Sequence, residues 1–267
     1  MKLVTHKLPM AIFSSFQETG LVSHGISTRL GGVSTGAWRS LNLGFHRGDN
    51  ESDVMENFRR FTSACDILLS DTVFSTQIHG VRLRHVVASD RGKGIGPSDI
   101  RHTDGLYTDE PNVALVTFFA DCVPLLFLDP EKKVIAASHS GWRGTVAEIG
   151  RITVEALVKD FGCNPNDILA GIGPSIGPCC FEVDMPVASE FLQKPSWAPF
   201  VGRLNGTNKY KVDLWSVNKL ILEDSGLLPE HIDCKPICTC CNENLFYSHR
   251  RDGEKRGSMA AIICMKM

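Results

Sequence analysis

A strand, an irregular loop and a helix are predicted by residues 134–162, which read VIAASHSGWRGTVAEIGRITVEALVKDFG. Residues 134–138 form a short apolar run, as in a buried strand. The two glycines in residues 139–144 predict a loop, and a helix is predicted to start at Thr145 and to stop at Gly162. Apolar residues recur through that helix at spacings of three and four: Val146, Ile149, Ile152 and Ala156.

Outside this unit, short strands and helices follow one another without strict alternation, which predicts an α+β or layered α/β fold rather than a doubly wound sheet. We predict strands at residues 72–76, 81–88, 113–119 and 167–172, and helices at 52–65 and 212–225. Pro124 is expected to interrupt the apolar run, so that residues 125–128 begin a new strand or the far side of a bulge. Residues 173–178 contain two glycines and two prolines and are predicted to be a loop. No repeat or linker divides the sequence, which indicates a single domain over residues 1–267.

The composition is that of an ordinary folded protein, with 267 residues, 43% hydrophobic and 22% charged. The 28 basic and 30 acidic residues nearly cancel, and the sequence has no long basic run. We therefore expect no nucleic-acid partner. The sequence also contains no apolar run long enough to span a bilayer and no secretory signal at its N-terminus, so we expect a cytoplasmic protein without a membrane partner.

Ten cysteines are many for a chain of this length. In a reducing compartment they indicate thiol or metal chemistry rather than disulfides. We predict that Cys65, Cys163 and Cys264 are small buried hydrophobic residues, and that Cys179 and Cys180 are buried thiols behind the 173–178 loop.

A dense group of cysteines lies near the C-terminus, at residues 238–241 (CTCC), with His249 downstream. A structural zinc knuckle is the less favoured interpretation of this group. Such a site takes its ligands from two well-separated pairs, and the sequence offers only one clump with one histidine near it.

Three segments place a histidine or a cysteine where a predicted strand gives way to a loop: residues 76–80 (TQIHG), 120–124 (ADCVP) and 138–144 (SHSGWRG). The imidazoles of His79 and His139 and the thiolate of Cys122 suit zinc, and three protein ligands would leave one position open for catalysis. The three residues lie too far apart in sequence to form a local metal motif. Two other interpretations stay open, namely satisfied polar residues at strand ends and a Cys122 nucleophile activated by His79 or His139.

Arg143 lies two residues before the predicted helix start, between two glycines. A turn of this kind can direct a guanidinium and the free N–H groups of a helix at an anion such as phosphate or a carboxylate. The alternative is an ordinary surface ion pair.

Taken in order, the three segments resemble the YfiH/LACC1 family, whose members have been named multicopper polyphenol oxidases and purine nucleoside phosphorylases. Further matches in the family's order are residues 40–44 (SLNLG), 48–49 (GD), 103–105 (TDG), 171–176 (GIGPSI), 181–183 (FEV), 244–248 (NLFYS) and 250–252 (RRD). The resemblance extends from about residue 20 to residue 264 and covers nearly the whole chain.

The resemblance implies a single-domain, layered α/β/β/α sandwich with mixed sheets and a zinc site formed by His79, Cys122 and His139. It also implies catalytic roles for these three residues and Arg143, and substrate binding by Arg143, Asn42 and Arg29. The implied reactions are phosphorolysis of adenosine, inosine, guanosine and S-methyl-5′-thioadenosine, together with deamination of adenosine. The partners would then be a nucleoside and inorganic phosphate, while the oligomeric state is not indicated.

Three other functions stay open. Copper-dependent oxidation of phenols is less favoured than zinc chemistry, because multicopper enzymes use clustered His-x-His ligands and none of the nine histidines forms such a pair. A Cys-dependent amidase acting on peptidoglycan precursors would use Cys122. A binding or scaffold protein would use its zinc only for structure.

One departure from the family lies near the C-terminus. Many relatives carry a Thr-Gly-Arg-like turn after the Arg-Arg-Asp segment, whereas this chain has Arg256, Gly257 and Ser258 there. Ser258 thus stands where the resemblance leads us to expect an arginine. The flanking Lys255 and Arg256 are the basic side chains that could take its place.

Overall fold

The computed structural model describes residues 2–4, 8–234 and 236–267. The strands are β1 Lys2–Val4, β2 Met10–Ile12, β3 Val22–Ser27, β4 Thr72–Val73, β5 Leu83–His85, β6 Gly105–Thr108, β7 Ala114–Phe119, β8 Val123–Asp129, β9 Val134–Ser140, β10 Leu169–Ile172, β11 Glu182–Asp184, β12 Val201–Arg203, β13 Lys209–Val212, β14 Ile232–Cys234 and β15 Met259–Met265. The α-helices are α1 Ser14–Thr19, α2 Glu51–Ala64, α3 Trp142–Val146, α4 Ile149–Phe161, α5 Met185–Leu192, α6 Leu214–Asp224 and α7 His249–Asp252.

Two six-stranded mixed sheets form the centre of the described structure. The first has the order β1-β2-β3-β15-β7-β4, in which only β7 and β4 pair in parallel. The second has the order β14-β10-β8-β9-β6-β5, with parallel pairs at both edges and antiparallel pairs between them. A third, smaller sheet is antiparallel and has the order β11-β13-β12.

The alternation of side chains along β15 shows how the layers are built. Ala261 and Ile263 join the core between the two sheets, together with residues of β7, β8 and β9. Ala260 and Ile262 point the other way and pack with α2. Since successive residues of a strand face opposite sides of its sheet, β15 contributes to two cores at once.

The outer face of the second sheet packs against α4 and α6. Leu157 of α4 and Ile221 of α6 are buried in the same cluster as Leu125 of β8. The layer order is therefore α2, the first sheet, the second sheet, and then α4 with α6. The predicted α/β/β/α sandwich with mixed sheets is confirmed.

The expected interruption at Pro124 is wrong, because Pro124 lies inside β8. Its carbonyl accepts a hydrogen bond from the N–H of Gly173, just past the end of β10 at Ile172. The nitrogen and carbonyl of one strand residue point to the same side, so the missing N–H of Pro124 faces the place where β10 has already ended. The proline therefore removes only the last possible hydrogen bond between β8 and β10, the one back to Gly173, and it is tolerated at this end of the ladder.

The helix predicted from Thr145 to Gly162 is in fact two helices, α3 and α4. They are separated at Glu148, whose φ of 57° lies in the left-handed region. The first of them begins at Trp142, so Arg143 lies within its first turn and not on a turn before it. The predicted position of Arg143 ahead of the helix is therefore wrong.

Other boundaries shift by a few residues. The strand predicted at 72–76 is reduced to the two residues of β4, and the strand predicted at 81–88 to the three residues of β5. Asn50 caps α2 by accepting a hydrogen bond from the N–H of Ser52, so this helix begins at Glu51. Within the described residues, no helix has both the length and the apolar composition needed to cross a bilayer.

Candidate metal and catalytic site

His79, Cys122 and His139 converge, although they are far apart in the sequence. His139 is the penultimate residue of β9 and pairs with Pro124 of β8, which places Cys122, just before β8, beside the end of β9. His79 comes from the connection between β4 and β5. One ligand atom from each of the three side chains lies within 4.8 Å of the others, and the two imidazole centroids are 4.8 Å apart.

Asp104, just before β6, fixes the positions of both histidines through hydrogen bonds. Its Oδ1 lies 2.9 Å from Nδ1 of His139 and accepts a hydrogen bond of 2.9 Å from the N–H of His79. Its Oδ2 accepts hydrogen bonds from the N–H groups of Ile78 and Gly80, at 3.1 and 2.9 Å. A carboxylate here favours the tautomer of His139 with its proton on Nδ1, which leaves Nε2 free to bind a metal. In the sequence, Asp104 is recognisable only as part of the Thr-Asp-Gly motif at 103–105, which predicts no role for it.

Gly141, which precedes α3, allows the three side chains to approach one another. A Cβ atom at this position would lie 2.9 Å from Cδ2 of His79 and 3.2 Å from Sγ of Cys122. Both distances are shorter than ordinary van der Waals contacts. The absence of a side chain at residue 141 is therefore part of the geometry of the site.

The Cys122 thiol and the His139 imidazole stabilise each other's charged forms. Burial on its own would raise the pKa of Cys122, but the charge of His139 and hydrogen bonds from His139 and His79 lower this pKa to about 6. Burial on its own would lower the pKa of His139, but Cys122 and Asp104 raise it to about 9. Without a metal, the pair is therefore a thiolate beside an imidazolium near neutral pH.

Two site residues adopt left-handed backbone conformations, His79 with a φ of 61° and Asp121 with a φ of 89°. The carboxylate of Asp121 is fixed by Thr239 Oγ1 at 2.6 Å, Ser248 Oγ at 3.0 Å and the N–H of Arg250 at 2.7 Å. These bonds hold the residue directly before Cys122. Such conformations persist only where the surrounding structure enforces them, and they concentrate at functional sites.

Gln77 anchors the connection that carries His79. Its side-chain amide donates a hydrogen bond of 2.8 Å to the carbonyl of Phe118 and accepts one of 2.7 Å from the N–H of the same residue. Phe118 belongs to β7 of the first sheet. The motif that carries His79 is thus fastened to the first sheet two residues before the histidine.

The donor set fits a transition metal. Two imidazole nitrogens and a thiolate are ligands that zinc accepts at distances of about 2.0–2.3 Å, and the hydrogen bond from His139 to a carboxylate is the usual outer-shell support. His79 is exposed and Cys122 is half-buried, so the cluster is open to solvent on one side. The same donor types also occur in copper sites, so the ligands alone do not determine which metal binds.

A cavity of about 580 Å³ lies over the cluster, and His79, Cys122 and His139 line it. Three arginines also line it, Arg47, Arg101 and Arg256, and no described residue of its lining is an aspartate or a glutamate. Its apolar wall contains aromatic side chains, Phe45, Phe74, Phe118 and Phe119. The volume is that of a small-molecule site, and its basic lining suits an anionic ligand.

Arg256 is the most enclosed of these cations, with only 6% of its surface exposed. One of its terminal nitrogens donates to the carbonyl of Gly257, at 3.0 Å, but its buried Nε has no hydrogen-bond partner among the described residues. Burial and the nearby Arg47 lower the pKa of Arg256. Of the two basic residues considered beside Ser258, Arg256 is therefore the one that faces the cavity.

The other predicted substrate-binding residues lie elsewhere. Arg143 is exposed, its guanidinium stacks 4.2 Å from the ring centroid of Trp142, and it does not line the cavity. Arg29 donates to the carbonyls of Arg39 and Glu243 and does not line the cavity either. Their roles in substrate binding stay predictions.

Asn42 is fully buried and forms hydrogen bonds with the backbone of the cavity wall. Its Oδ1 accepts hydrogen bonds from the N–H groups of Gly44 and Ser258, both at 2.9 Å, and both of these residues line the cavity. The structure thus gives Asn42 a positioning role, whereas contact with substrate stays a prediction.

Seven of the nine remaining cysteines fall into two groups. Cys65, Cys163 and Cys264 are buried, as predicted. Cys179 is exposed and Cys180 half-buried, so the prediction that both are buried thiols is wrong; the 173–178 loop leads them to the surface. They meet Cys238 and Cys241 there, and the four sulfur atoms lie within 4.8 Å of one another.

Comparisons with known proteins agree with the motifs quoted above. A family model described as "Multi-copper polyphenol oxidoreductase laccase" matches residues 23–266. A Bacillus subtilis (strain 168) protein named "Purine nucleoside phosphorylase YlmD" is 42% identical over 252 residues, which cover 94% of this chain and 91% of that protein. An Escherichia coli (strain K12) protein named "Purine nucleoside phosphorylase YfiH" is 35% identical, over 89% of this chain and 91% of that protein.

Solved structures share the fold. The crystal structure of YlmD from Geobacillus stearothermophilus superposes with a TM-score of 0.92 at 35% sequence identity, and covers 100% of this chain and 98% of its own. Since the family model spans almost the whole chain and the relatives match it nearly end to end, this chain belongs to the family of multi-copper polyphenol oxidoreductase laccases, the YfiH/LACC1 family.

Proposed function

We propose that this chain is a zinc-dependent purine nucleoside phosphorylase that acts on adenosine, inosine, guanosine and S-methyl-5′-thioadenosine. The observation that carries the proposal is the His79, Cys122 and His139 cluster beneath a cavity with three arginines and, among its described lining residues, no carboxylate. The names of the relatives from Bacillus subtilis and Escherichia coli support it. The proposal includes the single domain and the cytoplasmic location predicted from the sequence.

Inorganic phosphate would bind to Arg256 and Arg47. Arg256 is buried and has an unpartnered Nε, so an anion in the cavity would satisfy a donor that otherwise lacks a partner. Arg47, which lines the same cavity, lowers the pKa of Arg256, as two close positive charges do. A phosphate between them would relieve that repulsion.

The nucleoside would occupy the aromatic side of the cavity. Phe74 and Phe118 pack edge to face, with ring centroids 5.0 Å apart, and both line the wall. Apolar and aromatic walls of this kind bind a flat purine ring by stacking and by excluding water. This arrangement would present the sugar to the phosphate.

In phosphorolysis, a phosphate oxygen bonds to C1′ of the ribose while the bond from C1′ to the purine nitrogen breaks. The bond pair leaves with the purine, which takes up a proton, and ribose 1-phosphate forms. Zinc held by His79, Cys122 and His139 would supply Lewis acidity at its open position, and its acidified water would also suit hydrolytic deamination of adenosine. Asp104 would keep the His139 ring in the metal-binding tautomer throughout.

The test is to measure products from inosine with the zinc-loaded protein. We expect hypoxanthine and ribose 1-phosphate only when phosphate is present, and loss of both in Cys122→Ala. Arg256→Met should raise the KM for phosphate about 10- to 100-fold, since a charge-assisted hydrogen bond contributes about 1.5–3 kcal/mol. The matched control is Lys255→Met, because Lys255 is exposed and does not line the cavity.

Two results would contradict this proposal. One is the absence of phosphorolysis and deamination in fully zinc-loaded protein. The other is turnover by Cys122→Ala at the wild-type rate. Copper and no zinc in protein purified without added metal would instead favour phenol oxidation. Against that function, the described residues form no linked array of histidine ligands beyond the His79 cluster.

A second candidate function is favoured by one observation, the close approach of the Cys122 thiol to the His139 imidazole, whose ligand atoms lie within 4.8 Å of each other. A low thiol pKa beside a protonated histidine is typical of cysteine nucleophiles. The candidate is a Cys-dependent amidase acting on peptidoglycan precursors. Detection of an acyl adduct on Cys122 by mass spectrometry during turnover would favour it over phosphorolysis.

A further inference from the structure

Four cysteines outside the candidate active site come together from two distant parts of the chain. Cys179 and Cys180 follow β10, while Cys238 and Cys241 follow β14. Sγ of Cys241 lies 3.5 Å from that of Cys179 and 3.3 Å from that of Cys180, and all four sulfur atoms are within 4.8 Å of one another.

These separations match four ligands around one ion. Sulfur atoms at about 2.3 Å from a tetrahedral zinc are about 3.8 Å from one another. A disulfide would need about 2.05 Å between two of them, far shorter than either of these two separations. The four thiols are therefore spaced as in a tetrathiolate site.

The ligands come from two well-separated pairs, as in structural zinc sites, although only one of these pairs was recognised in the sequence. Cys238 and Cys241 form a Cys-x-x-Cys pair, and the second, well-separated pair is Cys179 with Cys180. Cys240, adjacent to Cys241, packs against the apolar core and also contacts Cys180, but its sulfur is not one of the four that lie within 4.8 Å of one another. His249 is not part of the cluster and lies 3.9 Å from Glu254.

The surroundings of the cluster suit bound thiolates. The N–H of Gly177 donates a hydrogen bond of 3.3 Å to Sγ of Cys238. Three cations bind to the backbone carbonyls of the same two segments: Lys211 to Cys179, Arg250 to Cys180 and Arg251 to Cys240, at 2.8, 2.8 and 3.0 Å. Four thiolates and one divalent cation carry a net charge of −2, and Lys211 and Arg250 offset it, while Arg251 is also paired with Asp252.

We propose that Cys179, Cys180, Cys238 and Cys241 bind one zinc ion as a closed structural site, separate from the His79, Cys122 and His139 cluster. All four positions of the ion would be filled by protein, so the site has no place for substrate. Cys179 and Cys241 are exposed, which gives the ion a path of entry.

This ion would fasten the segment after β10 to the segment after β14. Those two segments already form an isolated bridge between Ser175 and Cys238. The second segment also carries Thr239, whose hydroxyl binds Asp121 next to Cys122. Loss of the ion would therefore loosen the support of Asp121 from a distance, without removing any group of the candidate active site.

The test measures zinc and cobalt binding in a Cys122→Ser background, which disables the other metal cluster. Under anaerobic, reducing conditions, this protein should retain one equivalent of zinc and, with Co²⁺, give the thiolate charge-transfer and tetrahedral d–d bands of a tetrathiolate site. Adding Cys241→Ser or Cys179→Ser should abolish both signals, and chelation should lower the melting temperature. Cys240→Ser is the matched control and should change neither.

Three outcomes would overturn the proposal. The first is absence of the metal from the Cys122→Ser protein after loading with zinc in reducing buffer. The second is an equal loss of metal in Cys240→Ser and Cys241→Ser. The third is a disulfide between any two of the four cysteines in protein isolated from reducing conditions. If Cys241→Ser does not fold, the cobalt spectrum of the Cys122→Ser protein decides alone.

Discussion

Asp104→Asn is expected to weaken the metal site from outside its ligand set. The carboxylate accepts two hydrogen bonds on each oxygen, from His139 and His79 on Oδ1 and from Ile78 and Gly80 on Oδ2. Asparagine supplies only one oxygen, so in either orientation its NH₂ group faces two groups that donate at present. The substitution changes almost no volume, so its effect is electrostatic.

The two orientations have different consequences. If the NH₂ group faces Ile78 and Gly80, two part-buried N–H groups lose their acceptor, which costs at most about 1–3 kcal/mol each and about 2–6 kcal/mol in total. If it faces His139, that ring must accept at Nδ1, and its proton moves to Nε2, where it blocks metal binding. The affinity for zinc should fall about 10- to 100-fold, as for other outer-shell partners.

The assay combines a competition titration of zinc against a chromophoric chelator with urea unfolding of the metal-free protein. Asp109→Asn serves as control, because Asp109 follows the far end of β6, is 47% exposed and, among the described residues, forms an ion pair with His85, at 3.4 Å. Wild-type zinc affinity and wild-type stability together in Asp104→Asn would refute the reasoning. A loss of stability equal to that of Asp109→Asn, with unchanged affinity, would do the same.

Three further outcomes follow from the geometry. In the metal-free protein, the rate of Cys122 alkylation, followed by peptide mass mapping, should stay high as the pH falls and decline only around pH 6, because the low pKa of Cys122 keeps it a thiolate. A midpoint near pH 9 would contradict this. Gly141→Ala should lower zinc affinity about tenfold or more in the same chelator titration, because its Cβ would meet His79 and Cys122. Its control, Gly202→Ala, has open space at the Cβ position and should bind zinc normally. Trp197→Ala should destabilise the fold by about 3–5 kcal/mol in urea unfolding, since Trp197 is only 2% exposed; a change below 1 kcal/mol would exclude tight packing there.

Strands and helices that do not strictly alternate predicted an α+β or layered α/β fold, and the α/β/β/α order of layers was implied by the resemblance to the YfiH/LACC1 family. The prediction failed where tertiary context decides. Pro124 was expected to end a strand, but it lies where the neighbouring strand has already finished. The break at Glu148 was not visible in the helical periodicity, since it depends on a single left-handed residue.

In the candidate site, too, the sequence predicts some of the residues and not others. His79, Cys122 and His139 could be selected because their side chains carry recognisable chemistry, and the structure brings them together. Asp104 acts through hydrogen bonds across 35 residues, which no local pattern reveals, although its Thr-Asp-Gly motif was a usable signal. Arg256 could not be ranked above Lys255 from sequence, because only burial distinguishes them.

The short connection from Gln77 to His79 touches both sheets. Gln77 is bonded to Phe118 on the first sheet, whereas the N–H of His79 is bonded to Asp104 next to the second. His139 lies in β9 of the second sheet, and Cys122 directly precedes β8 of the same sheet. Pressure, heating or a repacked interior could shift one sheet slightly over the other. Such a shift would first change the distance between His79 and its two partners. Affinity for the ion would then serve as a sensitive gauge of how the two halves of the sandwich sit together.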